Sequence, residues 1–306
     1  MRRIAIESWD PDYGAPVDGA VLEPTDVNID PDVEMVASNW RPVTLPAGEP
    51  ASGDVVFIDG VRRTDAFAWI TQDDRPPFRA LLASFAAGAV RAASKAQLVS
   101  VKFRRVLVAS ERTDAIETKA GTWQPRIASG NTPEQLSLTV QECMTELEID
   151  VASGSDAGAE LVVIDGPLRG RQNIAGAVGY VKTHQVAYLP APLQPVVAAL
   201  KAGERTPVFR CTTSWSRFSW YMRLPGPASH AWCGIVRLEA SERLPASSAI
   251  DVANRTAVVL PKFASAVHKD PRAPQNLFPI GGLERELRRR LGDRQIIERA
   301  LRVELV

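Results

Sequence analysis

The stretch "VVFIDGVRR", Val55 to Arg63, is written again with little change a hundred residues later as "VVIDGPLRG", Val162 to Gly170. Each is a run of β-branched and apolar residues that stops on Asp-Gly and is followed by arginine. Nothing else in the chain constrains its fold as much. An apolar run with no alternation marks a strand covered on both faces, the central position of a layered sheet. A carboxylate at the end of such a strand is costly unless it is paired or holds a cation. Asp-Gly is also a common hairpin turn signal. Two readings therefore stand. Either both dipeptides are turns, or Asp59 and Asp165 sit side by side on neighbouring strand ends and hold a divalent metal. Oxygen-only donors suit magnesium or manganese.

The flanking pattern supplies the other elements. Asp54 to Asp59 reads as the first clear strand, and "TDAFAWIT" after "GVRR" as a second strand closing a hairpin. "PPFRALLASFAAGAVRAAS" is rich in small residues and fits a helix or a third strand, and Gly88 leaves that choice open. "SVKFRRVLVAS" reads as a strand. "TPEQLSLTVQECMTELEIDVAS" reads as a helix with Thr132 as N-cap, Pro133 at the first helical position and Glu134 in the first turn. Leu136, Val140, Met144 and Leu147 line one face of it. "AELVVIDG" is then a central strand, and "GYVKTHQVAYL" a short strand or turn leading to a helix. "PVFRCTTSWSRFSWYMRLP" and "AWCGIVRLEASE" read as two paired strands, "TAVVLPKFASAVHKD" as a strand entering a helix, and the chain end as helical. Residues 1–50, rich in proline and acids, read as an arm with one short strand, packed on the body through Trp9, Tyr13 and Trp40. Residues 51–306 read as one mixed α/β domain.

Composition excludes several classes. The 306 residues carry 36 Lys plus Arg and 36 Asp plus Glu, which argues against non-specific coating of nucleic acid but allows a local basic channel. Three scattered cysteines suit neither a disulfide framework nor a zinc site and suggest a reducing cytoplasm. No apolar run approaches membrane-spanning length, and the N-terminal segment has no signal-peptide core. A Walker A loop, a G-x-G-x-x-G turn and a G-x-S-x-G elbow are all missing from the sequence.

If Asp59 and Asp165 hold metal, further ligands are needed. The helix before Asp165 offers Glu142, Glu146 and Glu148, of which Glu148 lies next to the apolar face. "SAVHKDPR" offers His268 and Asp270. Arg62, Arg63 and Arg169 then stand where they can hold flanking phosphates, or serve as salt-bridged surface residues. Lys182 can neutralise charge developing on a phosphate, or be a plain surface lysine.

From "ESWDPDYG" through "FIDGVRR", "MTELE", "VVIDGPLRG", "GYVKTH" and "YMRLP" to "LPKFASAVHKDPRAPQNLFPIGGLERELRRRLGD", the chain resembles the NurA nucleases. Each motif is weak alone; their order over most of the chain is fairly specific. The resemblance implies an α/β ribonuclease-H-like mixed sheet flanked by helices, a toroidal homodimer, manganese-dependent cleavage of DNA ends and the hexameric HerA translocase as partner. It implies Asp59, Asp165 and Glu148 (with Glu146 as fallback) as ligands, His268 or Asp270 as the C-terminal one, and Lys182 at the site. It also places Tyr221 and Arg223 on a polar strand near the substrate. Valine at position 61, where the family carries serine, departs from the pattern. The expectation is a Mn- or Mg-dependent deoxyribonuclease acting with a HerA-type ATPase in end resection. Its rivals are a non-catalytic subunit that threads DNA, and an RNA-processing ribonuclease.

Overall fold

The computed structural model describes residues 27–45, 54–72, 76–155, 158–184, 188–226 and 230–304. The strands are β1 (Asn28–Asp30), β2 (Val55–Ile70), β3 (Phe78–Ala92), β4 (Ala96–Ala109), β5 (Ile116–Thr118), β6 (Gly121–Ile127), β7 (Leu161–Asp165), β8 (Ala177–Val181), β9 (Phe209–Thr212), β10 (Ser216–Arg223) and β11 (Ile235–Ser241). The α-helices are α1 (Pro133–Ala152), α2 (Gln194–Ala198), α3 (Ala246–Val259), α4 (Phe278–Arg290) and α5 (Arg294–Glu304). The strands form one sheet in the order β1-β9-β10-β11-β8-β7-β2-β3-β4-β6-β5. Pairing is parallel at β8–β7, β7–β2 and β4–β6 and antiparallel elsewhere. At its centre, β2, β3 and β4 form a meander, α1 crosses over, and β7 and β8 add in parallel beside β2. The expected mixed α/β sheet flanked by helices, with helical additions after it, is the one observed.

The first Asp-Gly is not a turn. β2 runs straight through it for 16 residues, with Asp59 opposite Gly88 and Gly60 opposite Ala87 on β3. The hairpin expected within 54–70 is therefore one strand, and its partner is the alanine-rich segment. That segment is a strand because both its faces are covered. Leu81, Ala83, Phe85, Ala87 and Ala89 pack under α1, while Ala86 and Val90 pack under α4. Small side chains let two helices lie close. At Gly88 a β-carbon would stand 2.9 Å from Leu283 Cδ1, so this glycine serves close packing, not a turn.

Helix α1 begins where expected. Thr132 caps it by accepting from Gln135 N, and the Gln135 side chain answers the Thr132 amide in a capping box. Leu136, Val140, Met144 and Leu147 are all buried, and so is Glu148. α3, α4 and α5 lie on the other face of the sheet. "TAVV", expected as a strand, is the last turn of α3, and a 3-10 turn carries Pro261 (residues 260–263). Of the N-terminal arm, β1 extends the sheet beside β9, Trp40 is buried, and Glu34 pairs with Arg205. Trp9 and Tyr13 lie outside the described residues. Trp220 is core, donating its indole N–H to Thr256 Oγ1 at 3.1 Å.

Candidate functional site

β2 and β7 pair in parallel register, Val55 with Leu161 through Ile58 with Ile164. One step further on each strand stand Asp59 and Asp165. They face the same side as Val55, Phe57, Leu161 and Val163, the side covered by α3 and α4. Asp59 is 6% exposed. It accepts one hydrogen bond, from the Gly60 amide at 2.8 Å, and makes no ion pair among the described residues. Burial, and then the neighbouring Asp165 charge, hold its carboxyl well above the usual carboxylate range. Lys182 opposes this, and Glu148 and Glu284 add to it.

Asp165 is served differently. Lys182 Nζ donates to its Oδ2 at 2.7 Å and to Asn276 Oδ1 at 2.9 Å. Asn276 Nδ2 donates to Asp270 Oδ2 at 2.6 Å. Asp270 also accepts from the Arg272 amide, and Arg272 reaches Glu284 on α4 at 2.8 Å. Burial works to raise the Asp270 carboxyl, but Asn276 and Arg272 outweigh it and hold it low. A continuous polar chain thus runs from the strand ends to α4.

Glu148 arrives from the opposite face. Gly60 leaves a gap in β2, and the Glu148 carboxylate fills it: a β-carbon on Gly60 would lie 2.4 Å from Oε1. Arg171 clamps the other oxygen, donating from Nε at 2.6 Å and also from Nη2. Burial raises the Glu148 carboxyl and Arg171 resists. Arg171 belongs to the loop after the second Asp-Gly, where the chain does turn, with Gly166 at φ +94 and Gly170 at φ +80. Glu239, paired with Arg217 and Arg237, accepts the Leu168 amide at 2.9 Å and so anchors this loop on β11.

Asp165, Lys182 and Glu148 therefore lie close enough to act on the Asp59 charge, and Asp270 joins them only through Asn276. His268 is exposed, two residues short of the polar chain that Asp270 joins. Glu142 and Glu146 are exposed too, and Glu146 pairs with Arg126. Three residues expected to bind substrate are engaged within the chain. Arg63 is committed to Asp65 at 3.0 Å and to the carbonyls of Leu291 and Gly292 at the end of α4. Arg223 is spent on the carbonyls of Leu200, Cys233, Ala198 and Ala231. Tyr221 is buried in an aromatic cluster with His184, Phe209 and Trp232, and burial pushes its hydroxyl up to about 12. Arg169 is exposed. Arg62 is half-buried with no hydrogen bond or ion pair among the described residues. Sequence reasoning missed Arg171, Asn276 and Glu284. Arg171 lies two residues past Arg169, and Glu284 sits between the core positions Leu283 and Leu287; "PQN" around Asn276 carries no signal.

The donor set is all oxygen, and Asp59 is a buried carboxylate facing no bonded cation, which fits a hard divalent ion. Yet no three Asp, Glu, His or Cys side chains among the described residues gather as a metal site. The other acids are each engaged instead: Lys182 holds Asp165, Arg171 holds Glu148, and Arg272 and Asn276 hold Asp270.

Neither the family models nor the curated proteins contain a match to the sequence. Among solved structures, the chain is similar to the NurA nuclease from Sulfolobus solfataricus, at 10% identity and a TM-score of 0.49, over 86% of this chain and 87% of that one.

Proposed function

We propose that this protein is a divalent-metal-dependent deoxyribonuclease. The observation that carries the reading is the register match of Asp59 and Asp165 on parallel strand ends, with Asp59 buried and without a bonded cation. Such a carboxylate pair lacks a structural purpose of its own, since each charge makes the other costlier. Asp59, Asp165 and Glu148 would hold a manganese or magnesium ion, with Asp270 behind them. When bound, the ion supplies Lewis-acid polarisation and takes up charge on the phosphoryl oxygens.

The chain's own groups do the rest. Lys182 donates to Asp165 and offers a cation beside the phosphate. Asn276 aims that ammonium. Arg62 and Arg169 meet flanking phosphates. Homodimerisation, a cytoplasmic place and docking to a HerA-type ATPase complete the proposal; the chain holds no ATP-binding loop of its own. No helix among the described residues is long and apolar enough to cross a membrane.

The ion pairs of Glu148 and Asp165 favour a second reading: a DNA-threading subunit whose acids are neutralised internally. Incubation of linear duplex DNA with manganese, with RNA in parallel, separates the cases. Nucleotide release from DNA that is lost in Asp59→Ala and Asp165→Ala is expected. Faster cleavage of RNA would move the assignment to a ribonuclease, and cleavage of neither would favour the threading subunit.

A further inference from the structure

Lys182 is gripped on two sides. Its ammonium donates to Asp165 Oδ2 at 2.7 Å and to Asn276 Oδ1 at 2.9 Å. The other end of that amide, Nδ2, donates to Asp270 Oδ2 at 2.6 Å. Lys182, Asn276 and Asp270 are all buried. An ammonium only donates and an ionised carboxylate only accepts, while an amide does one at each end. Asn276 between them therefore has a single orientation that satisfies both neighbours. Turned over, it would set its NH2 against the ammonium and its carbonyl against the carboxylate.

The surroundings keep the amide in place. Tyr180 lies two residues before Lys182, so both side chains leave β8 on one face. The Tyr180 hydroxyl donates to the Gln275 carbonyl at 2.6 Å, so two neighbours on β8 grip two consecutive residues. The first turn of α4 closes over the pair at Gly281. A β-carbon there would stand 3.0 Å from Asn276 Nδ2 and 3.4 Å from Asp270 Oδ2. Asp270 itself is fully engaged. Its Oδ1 accepts from the Arg272 amide at 2.8 Å and from Arg272 Nε at 3.3 Å. Its Oδ2 accepts from Asn276 and from Arg272 Nη2 at 3.4 Å. Two donors on each oxygen fill the capacity of a carboxylate. Glu284 on α4 steadies the Arg272 guanidinium at 2.8 Å. Asp59, by contrast, accepts one hydrogen bond among the described residues. A metal ion reaches an Asp270 oxygen only by displacing Asn276 or Arg272.

We propose that Asp270 is a positioning residue and not a metal ligand: it fixes the Asn276 amide so that the carbonyl holds the Lys182 ammonium beside Asp165. Arg272 and Glu284 hold Asp270 in that role. The proposal deepens the nuclease reading and rests on it for the use made of Lys182. The orientation of Asn276 follows from donors and acceptors alone.

The test compares wild type with Asp270→Asn, with the exchange of Asp270→Asn and Asn276→Asp together, and with Asp165→Asn. Asp270→Asn lets either end of Asn276 face Lys182, so the ammonium loses its fixed acceptor. In the exchange, an amide at 270 donates to a carboxylate at 276, which accepts from Lys182 as Asn276 did. Acetylation by acetic anhydride without metal, read at Lys182 by mass spectrometry, reports the hold on the ammonium. Asp270→Asn should speed labelling of Lys182 by roughly tenfold, the scale of one hydrogen bond to a charged group. The exchange should restore protection, which neither a ligand role nor a bare packing role for Asp270 would produce. Manganese affinity, read from the electron paramagnetic resonance of the free ion, should fall far less in Asp270→Asn than in Asp165→Asn. Equal losses in those two variants would make Asp270 a ligand and overturn the proposal. So would wild-type labelling of Lys182 in Asp270→Asn with a melting temperature near wild type. If Asp270→Asn does not fold, a folded exchange variant with Lys182 protected supports the proposal, and an unfolded or unprotected one overturns it. Wild-type protein that binds no manganese would sink the nuclease reading and leave the labelling result standing.

Discussion

Gly60 and Glu148 meet at one point in space: a β-carbon on the strand residue would lie 2.4 Å from Oε1 of the helix residue. The strand lacks a side chain there because a carboxylate from the opposite layer fills the position. Glu148 cannot swing aside freely, since Arg171 clamps its other oxygen and Met144 Cγ stands 3.1 Å from the same β-carbon. Gly60→Ala should therefore displace Glu148. Urea unfolding should show a loss of about 1–3 kcal/mol, typical of overpacking. Manganese-dependent cleavage should fall at least as far as in Glu148→Gln, whereas Glu142→Gln on the exposed face should cleave normally. An unimpaired Gly60→Ala enzyme would remove Glu148 from the site.

Arg171 and Glu148 form a buried pair, with side chains 6% and 2% exposed. Breaking such a pair from one side leaves a charge in a dry place. Arg171→Met should destabilise the protein by about 3–5 kcal/mol. Adding Glu148→Gln to it should restore most of that stability, because the stranded charge is gone. The unfolding midpoints of the two single variants and the double variant complete the cycle. A double variant as unstable as the sum of the singles would mean that the two side chains act independently.

The buried Asp59 carboxyl gives a pH signature. Its pKa is raised in the folded state, first by burial and then by Asp165. A raised pKa stabilises the fold fully below the ordinary carboxylate value, and that contribution is lost as pH climbs through the raised one. Asp59→Asn removes the ionisation. The variant should melt a few degrees above wild type near about pH 7, with the gap closing below about pH 4. Thermal melts at the two pH values decide it; a gap independent of pH would contradict the electrostatic account. The same variant should be inactive at every pH.

The acidic strand ends were legible because burial and charge conflict within the sequence itself. "VVFIDG" and "VVIDG" announce carboxylates where apolar strands should continue. The helix was legible through its cap and the spacing of Leu136, Val140, Met144 and Leu147. Its periodicity placed Glu148 beside the core before any coordinates. The role of the first Asp-Gly was not legible, because a turn glycine and a gap glycine read the same until the opposing helix is in place. Phe78–Ala92 was ambiguous for a related reason: alanine serves a helix by propensity and a doubly covered strand by its small volume. The carbonyl contacts of Arg63 and Arg223 were not legible, because a sequence does not show how many carbonyls will converge on a guanidinium. Asn276 joins Lys182 to Asp270 only through tertiary contact, ninety-four residues beyond the lysine.

Arg62 and Arg63 are adjacent on one strand and point to opposite faces, so their substitutions should have opposite consequences. Arg63 ties β2 to the last carbonyls of α4 and to Asp65, whose side chain is fully buried. α4 also carries Leu283 and Leu287, which pack on Val61 beside the site. Arg63→Ala should cost about 2–4 kcal/mol, the scale of charge-assisted bonds lost from a buried partner. It should also speed hydrogen exchange along α4 while leaving oligonucleotide affinity unchanged where the protein is folded. Arg62→Ala removes a side chain with no intramolecular partner among the described residues. Its stability should match wild type, or rise slightly because desolvation of that guanidinium is relieved. Its oligonucleotide affinity should drop, with a shallower dependence on salt as one phosphate contact is lost. Paired measurements of unfolding and binding separate the two. If Arg63→Ala lost affinity at full stability while Arg62→Ala lost stability at full affinity, the two faces of β2 would have been assigned the wrong way round.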